Sequence, residues 1–142
     1  LEVFSLSDLV ETIAEEISVM AAKTHTVKTD IAASIWITGY CDEIRSAIVN
    51  LMTNAVRYTP AGGTIRLVCA VREDGAIIVS VADNGIGIDE KLLQSRSKRH
   101  VGLNIMRERA SRIGASVSVE KADPALYPSG TTVRLTISAE SR

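Results

Sequence analysis

The sequence is poor in several features that mark particular classes of protein. Its 142 residues include one Trp, one Phe, two Cys and three Pro, and only 4% of them are aromatic. Neither sign of charge is in excess, because 16 Lys and Arg stand against 17 Asp and Glu. A general nucleic-acid-binding protein carries a clear basic excess, so the balance argues against that class.

Long apolar runs are also missing. None approaches the roughly 18 residues that a membrane span needs. The first ten residues lack the basic head and apolar centre of an export signal. Cys41 and Cys69 have no metal-like spacing to a His, so we interpret both as reduced thiols of the core. We therefore expect a cytoplasmic chain whose present segment makes no direct membrane contact.

What the sequence does contain is typical of one globular domain. Hydrophobic residues make up 46% of the chain, which suffices for a sizeable core. The three prolines, Pro60, Pro124 and Pro128, all lie between periodic segments, and no repeat is present. The sequence predicts a single domain over residues 1–142.

Apolar periodicity predicts three helices and six strands. Ser7 and Asp8 offer an N-cap for the first helix, which ends near Ala22. The second helix begins after Asp42 and ends near Tyr58, and the third covers about 102–113. The strands are predicted at 27–31, 35–38, 64–71, 76–82, 116–121 and 131–138. Because Glu73-Asp74-Gly75 predicts a hairpin, we expect an α+β fold: a two-layer sandwich with a mostly antiparallel mixed sheet and helices on one face.

The second helix carries two stripes at helical spacing. One is apolar and predicts the core-facing side, with Ile44, Ile48, Leu51 and Ala55. The other places two amides, a guanidinium and a phenol together, with Asn50, Asn54, Arg57 and Tyr58. Asparagine is a mediocre helix former, so two on one stripe need a reason. Either this is a solvated face, or the amide oxygens ligate a hard cation while Arg57 meets phosphate.

Two further segments could carry chemistry. Asp83-Asn84-Gly85-Ile86-Gly87-Ile88 follows a strand and is either a tight turn or a site where the carboxylate accepts a hydrogen bond from an exocyclic amine. Lys91 to Arg112 holds seven basic side chains and one acidic one, with His100-Val101-Gly102-Leu103 in its middle. That stretch is either a solvated face or a basic loop that closes over polyphosphate at a helix N-terminus.

The order of these segments, followed by Gly130-Thr131 before the last strand, resembles the catalytic ATP-binding domain of sensor histidine kinases. That nucleotide fold is shared with DNA gyrase, mismatch-repair ATPases and the large heat-shock chaperone. The resemblance covers essentially the whole chain. It implies ATP and Mg2+ as ligands, and a two-component signalling role.

The resemblance also implies residue roles. Asn54 is similar to the Mg2+ ligand of the family, and Asn50 would also lie at the metal. Asn50 and Arg57 are similar to the groups on the phosphate side. Tyr58 is similar to a nucleotide-packing group. Asp83 would read the adenine amino group with support from Thr131. The base pocket would be shaped by Gly85, Ile86 and Gly87, and the phosphates approached by His100, Val101, Gly102 and Leu103.

Asn50 distinguishes between reactions within this fold. The hydrolysing members resemble one another in carrying a glutamate four residues before the Mg-binding asparagine. Asn50 occupies that position here, and an amide cannot act as a general base. The sequence therefore favours phosphoryl transfer to an external acceptor over attack by water.

The lid departs from a single family branch. The asparagine helix and the Asp83 loop resemble long-lid sensor kinases, yet only fourteen residues separate Ile88 from Leu103. The run from Arg99 to Ala110 resembles the short-lid branch typified by nitrate-sensing kinases, which usually has Glu at the position of Asn50. A natural intermediate or an engineered fusion with a junction in 89–97 would explain the mixture.

The phosphoacceptor is not found in this sequence. We predict a structural or surface role for His25 and a lid or phosphate contact for His100, with neither as the acceptor. The resemblance implies a separate dimerisation and phosphoacceptor domain, then a response regulator, as partners. We expect the isolated domain to be monomeric. Two alternatives stay open: a nucleotide-binding module without useful catalysis and an anti-sigma serine kinase of the same fold. A purely structural or interaction protein would leave the amide stripe, the Asp83 loop and the Gly102-Leu103 helix start as coincidences.

Overall fold

The computed structural model describes residues 1–84, 107–108, 110–121 and 130–138. Two helices lie on one face of a five-stranded sheet, and a two-stranded sheet lies beside them. The helices are α1 (Leu6–Ala21) and α2 (Cys41–Tyr58). The strands are β1 (Glu2–Ser5), β2 (Thr26–Ile31), β3 (Trp36–Gly39), β4 (Thr64–Val71), β5 (Ile77–Asp83), β6 (Ala115–Lys121) and β7 (Thr131–Ile137).

The large sheet has the order β2-β4-β5-β7-β6, and β2 and β4 form its parallel pair. The other three pairs are antiparallel, so the predicted α+β class and mostly antiparallel mixed sheet are confirmed. The hairpin predicted at Glu73-Asp74-Gly75 joins β4 and β5, where Gly75 has a φ of +87°. Asp74 stabilises that turn, since its Oδ1 accepts the Ala76 N–H at 3.1 Å.

The core lies between the helices and one face of this sheet. Inward-facing residues alternate along β4, β5 and β7, so each strand buries every second side chain in the core, where α1 contacts β4 and α2 contacts β5. The apolar stripe predicted on α2 is buried, with Ile48 fully inaccessible and Ile44, Leu51 and Ala55 nearly so. No helix of the described residues is long and apolar enough to span a membrane.

The start of the chain differs from the prediction. The helix N-cap is Ser5, not Ser7 or Asp8, because the Ser5 Oγ accepts the Asp8 N–H at 3.2 Å. Ser7 instead lies buried in the first turn, where its Oγ donates to the Ala32 carbonyl at 2.7 Å and accepts the Ile35 N–H at 2.9 Å. The Ser7 side chain, which the sequence predicts as a helix cap, therefore forms tertiary hydrogen bonds instead.

Residues 2–5 form a strand that the sequence did not predict. It pairs antiparallel with β3, and Phe4 opposite Ile37 closes one side of the core. The other face of this small sheet is open, with Val3 68% and Trp36 55% exposed. Four residues are too few for their alternation to predict a strand before its partner is known.

The cysteines are both free, as predicted, but only one lies in the core. Cys69 is buried on β4, and burial raises its pKa to about 11. Cys41 is half-buried at the first turn of α2, so its assignment to the core is wrong. Of the third predicted helix, the described residues 107–108 and 110–112 are helical, and Ala110 is buried.

Candidate functional site

A buried carboxylate ends the central strand of the sheet. Asp83 is the last residue of β5 and is 1% exposed, on the face that also buries Ile77, Val79 and Val81. Strand alternation would place an apolar residue here, and a carboxylate is rarely taken out of water without a specific use. The strand was predicted to end at Ala82, and the structure extends it by one residue so that Asp83 is its last member.

A buried hydroxyl lies opposite this carboxylate. Thr131, the first residue of β7, pairs in register with Asp83, so both side chains lie on the same face of the sheet. Thr131 is fully buried, and its Oγ1 has no hydrogen-bond partner among the described residues. A buried hydroxyl without a partner costs about 1–3 kcal/mol. The pair therefore offers an acceptor and an unused polar group to a ligand atom.

The strands approach closely at this end of the sheet because of one glycine. Gly130 has a φ of +143°, and a Cβ on it would lie 2.0 Å from the Asp83 carbonyl oxygen. Any side chain at Gly130 would push the start of β7 away from Asp83. Packing thus explains the glycine of the Gly130-Thr131 pair in the sequence.

On the other side of Asp83, the strand is fastened to β4 by Asn84. The Asn84 N–H donates to the Thr64 carbonyl at 3.3 Å, and the Asn84 Oδ1 accepts the Thr64 N–H at 2.9 Å. Gly63 makes room for this contact, since a Cβ on it would lie 2.8 Å from the Asn84 Oδ1. Sequence reasoning missed this contact, although an Asn after a strand and before Gly is a turn signal.

The amide stripe of α2 lies on a less buried side of the helix than the apolar stripe. Asn50, Asn54 and Tyr58 are half-buried, and Arg57 is exposed. Helix α2 packs on β5, the strand that ends in Asp83. Amide oxygens are hard donors that suit Mg2+, and an exposed guanidinium suits phosphate. The described residues contain no group of three or more His, Cys, Asp or Glu side chains that could hold a metal ion.

The end of α2 is held to the end of α1 by His25. Its Nε2 lies 2.7 Å from the Thr59 carbonyl oxygen, and its Nδ1 lies 2.8 Å from the Thr24 Oγ1. A carbonyl only accepts, so Nε2 carries a proton. His25 therefore has the structural role that the sequence predicts, and its contact fixes Thr59, which follows the last residue of α2.

Several predicted site residues cannot be placed. Gly85, Ile86, Gly87, His100, Val101, Gly102 and Leu103 lie outside the described residues, as does the proposed junction at 89–97. The structure brings Asp83 and Thr131 together and sets Asn50, Asn54, Arg57 and Tyr58 along one helix. Thr59 adds a second buried hydroxyl without a hydrogen-bond partner in the described part of the chain.

Comparison with known proteins identifies the family and the fold of the chain. The sequence profile of the histidine kinase-, DNA gyrase B- and HSP90-like ATPases matches residues 39–141. The chain is 38% identical over 96 residues to the phosphate regulon sensor protein PhoR of Pseudomonas aeruginosa, covering 68% of this chain and 21% of PhoR. It is 37% identical over 98 residues to the nitrate/nitrite sensor protein NarQ of Escherichia coli, covering 69% of this chain and 15% of NarQ. The chain thus spans only 15–21% of the length of these two relatives.

Solved structures show the same fold. The catalytic domain of histidine kinase ThkA superposes with a TM-score of 0.80 over 99% of this chain and 98% of that chain, at 20% identity. The mycobacterial sensor histidine kinase MprB superposes with a TM-score of 0.75 over 96% of this chain and 95% of that chain, at 21% identity. These likenesses show the fold, and the profile matched over residues 39–141 shows that the chain belongs to the family of histidine kinase-, DNA gyrase B- and HSP90-like ATPases, whose domain binds ATP.

Proposed function

We propose that this chain is the ATP-binding catalytic domain of a two-component sensor histidine kinase. In this proposal it binds ATP with Mg2+ and transfers the γ-phosphoryl group to a histidine on a separate domain. The main support for the nucleotide site is the pair of Asp83 and Thr131. Asp83 is a buried carboxylate, and the buried hydroxyl of the neighbouring Thr131 has no hydrogen-bond partner among the described residues. The relatives named as sensor proteins support the kinase part.

The adenine base is assigned to the end of the sheet. The Asp83 carboxylate accepts a hydrogen bond from the exocyclic amino group, and the Thr131 hydroxyl completes the contact directly or through a water molecule. Hypoxanthine, the base of inosine, has a carbonyl oxygen where adenine has its amino group. That oxygen would face the Asp83 carboxylate, and neither group could donate a hydrogen bond to the other. This arrangement therefore selects adenine. Gly85, Ile86 and Gly87 are proposed to shape the remainder of the base pocket.

The phosphates are assigned to α2 and the lid. Asn54 and Asn50 would hold Mg2+ through their amide oxygens, and the ion would neutralise charge on the phosphate oxygens. Arg57 is exposed and free to extend toward phosphate, and Tyr58 would pack on the nucleotide. His100, Val101, Gly102 and Leu103 are proposed to close over the phosphates, where backbone amides at a helix start favour anions.

The transfer step needs little chemistry from the protein. A ring nitrogen of the acceptor histidine forms a bond to the γ-phosphorus while the bond to the bridging oxygen breaks, and ADP leaves with that electron pair. Asn50 supplies no base, so water is not activated at the position where hydrolysing relatives carry a glutamate. Positioning and charge stabilisation then account for most of the rate.

The partners follow from this assignment. The phosphoacceptor histidine belongs to a dimerisation domain, and a response regulator receives the phosphoryl group afterwards. We propose a cytoplasmic location, in keeping with a neighbouring structure described as the cytoplasmic segment of histidine kinase QseC. Contacts among sensor-kinase subunits are assigned to the dimerisation domain, so the isolated catalytic domain is proposed to be monomeric.

The Asp83→Asn variant tests the nucleotide site. Removing a buried, charge-assisted hydrogen bond costs about 1.5–3 kcal/mol, so we expect ATP affinity by titration calorimetry to fall roughly 10- to 100-fold. Asp30→Asn is the matched control, because Asp30 is exposed on the edge strand β2 and 3.9 Å from Arg66. Equal ATP affinity in the Asp83→Asn variant and the parent protein would contradict the assignment.

The kinase part needs a second experiment. The protein is incubated with ATP and a separately purified phosphoacceptor domain from a relative such as PhoR. We expect an acid-labile, base-stable phosphoprotein, as a phosphohistidine is. An acid-stable product would indicate a serine acceptor instead. ATP binding without any phosphoprotein would support a nucleotide-binding module and contradict the kinase assignment.

A further inference from the structure

We propose that Asn84 is a positioning residue that holds the Asp83 carboxylate at the adenine site and so sets the preference for adenine. The inference rests on the proposed role of Asp83. It concerns the contact between Thr64 and Asn84. This contact lies one residue beyond the pair of Ile65 and Asp83, which is the last pair of the regular β4–β5 ladder.

The Asn84 side chain substitutes for a backbone group in that ladder. Thr64 and Asn84 stand opposite each other, in the register that Ile65 and Asp83 continue. A regular hydrogen-bonded pair exchanges two N–H···O=C bonds. Here the Asn84 N–H donates to the Thr64 carbonyl, but the Thr64 N–H donates to the Asn84 side-chain Oδ1 at 2.9 Å. The chain can therefore leave the sheet directly after Asp83 without leaving Thr64 unpaired.

Two glycines show how tightly the Asp83–Asn84 peptide is held. A Cβ on Gly63 would lie 2.8 Å from the Asn84 Oδ1, so the side chain fills a space that only glycine leaves open. A Cβ on Gly130 would lie 3.0 Å from the Asn84 Cα and 2.0 Å from the Asp83 carbonyl oxygen. The peptide is thus enclosed by β4 on one side and by the start of β7 on the other.

This enclosure determines where the carboxylate lies. Asp83 is the last strand residue, and strand ends fray when their final hydrogen bonds are lost. Replacing Asn84 by Ala leaves the Thr64 N–H without its acceptor and removes one of the two anchors. A recognition group must be held within about 0.5 Å of its working position. We therefore expect loss of base discrimination before loss of nucleotide binding as such.

The test is the ratio of affinities for ATP and inosine triphosphate, measured by titration calorimetry. We expect the parent protein to prefer ATP by at least tenfold, and the Asn84→Ala variant to lose at least a factor of three of that preference. Asn84→Asp keeps an oxygen that accepts the Thr64 N–H, so we expect it to restore most of the preference. Affinity for inosine triphosphate should change little in either variant.

The matched control lies in the hairpin turn that precedes the same strand, at the end opposite to Asp83. Asp74 also accepts a backbone N–H through its side chain, from Ala76 at 3.1 Å. Asp74→Ala removes the same kind of bond, together with the two hydrogen bonds from Arg72, far from Asp83, so the affinity ratio should stay that of the parent protein. If destabilisation alone lowered the ratio, Asp74→Ala would lower it too, and that result would overturn the inference.

The remaining outcomes are also decisive. An unchanged ratio in folded Asn84→Ala overturns the role of Asn84. An unchanged ATP affinity in Asp83→Asn instead overturns the adenine site itself, so the two failures are distinguishable. If Asn84→Ala does not fold, Asn84→Ser takes its place, because the serine hydroxyl is too short to occupy the position of Oδ1. A parent-like ratio in Asn84→Ser then overturns the inference.

Discussion

Ser7 and Thr131 are both buried hydroxyl-bearing residues, and they differ in whether a described residue forms a hydrogen bond with the hydroxyl. The Ser7 Oγ donates to one backbone group and accepts from another, so its polar capacity is met within the fold. The Thr131 Oγ1 has no such partner in the described part of the chain. Burying a hydroxyl without a partner lowers stability, and the proposed adenine contact would give the Thr131 hydroxyl a partner that the described residues do not supply.

Thr131→Val separates these two roles. Valine keeps the shape of the side chain and removes the unpaired hydroxyl, so we expect the free energy of unfolding to stay equal or rise by about 1 kcal/mol. ATP affinity should fall roughly 2- to 10-fold, the worth of one neutral hydrogen bond. Urea unfolding and titration calorimetry measure the two quantities.

Ser7→Ala is the control for Thr131→Val. It leaves the Ile35 N–H without its acceptor, so the free energy of unfolding should fall by about 1–3 kcal/mol while ATP affinity is unchanged. A Thr131→Val variant that lost stability and kept its ATP affinity would show that the hydroxyl is structural.

At the scale of the elements, α2 joins packing and proposed chemistry in one helix. Its apolar stripe is buried against the sheet, and its amide stripe is only partly covered. The two stripes were predictable because helical spacing fixes which residues share a side. The direction in which the amide stripe of α2 faces was not predictable. It depends on how the helix packs on β5, which is a contact between distant parts of the sequence.

Asn54→Ala tests the proposed metal role of this helix. We expect ATP binding by the variant to become insensitive to Mg2+, whereas the parent protein binds ATP more tightly when Mg2+ is present. Calorimetric titrations with Mg2+ and with a chelator measure the difference. Thr53→Ala is the control, because Thr53 is the preceding residue and its Oγ1 donates to the Val49 carbonyl within the helix. Equal Mg2+ dependence in parent and Asn54→Ala would exclude Asn54 as a ligand.

The β4–β5 hairpin gives a prediction about pH. Hydrogen bonds from Arg72 and from the Ala76 backbone lower the pKa of Asp74 from 3.8 to about 2. Because the pKa of Asp74 is lower in the folded state, its ionised carboxylate adds to the free energy of unfolding. This contribution is complete above about pH 4 and is lost as the pH falls through about 2. The Asp74→Asn variant should lack this dependence.

Carboxyl-carbon NMR titration of Asp74 measures this directly. The parent protein should show a midpoint near pH 2, and an Arg72→Gln variant should show a midpoint closer to the ordinary 3.8. A midpoint of 3.8 in the parent protein would mean that the Arg72 contact, with its 2.6 Å Nη2–Oδ2 distance, does not persist in solution.

At the scale of the whole molecule, local patterns predicted the elements of the described residues except β1, and long-range contacts determined how these elements pair. The alternation in β7 and the turn at Gly75 are local, and both were predicted correctly. The parallel pairing of β2 with β4 joins segments separated by α2, so no local pattern announces it. The same reason explains why Ser5 rather than Ser7 caps α1, and why the contact of Asn84 with Thr64 was missed.

Ligand binding should stabilise the molecule as a whole. A ligand that binds only the folded state at a hundred times its Kd adds about 2.7 kcal/mol. For a domain of this size we expect a rise in Tm of roughly 5–10 °C with ATP and Mg2+. GTP should give a much smaller shift, because it lacks the amino group that Asp83 would bind. No shift with ATP, ADP or GTP would contradict the nucleotide site.

The open face of the β1–β3 sheet exposes a tryptophan whose fluorescence reports on its surroundings. Trp36 is the single Trp of the sequence and is 55% exposed in the folded state. Its emission should therefore already lie near that of indole in water, and complete unfolding should shift it only slightly while circular dichroism changes fully. A large red shift on unfolding would show that Trp36 is covered in solution. A blue shift in the native protein would conversely report that another molecule has come to rest on β1 and β3.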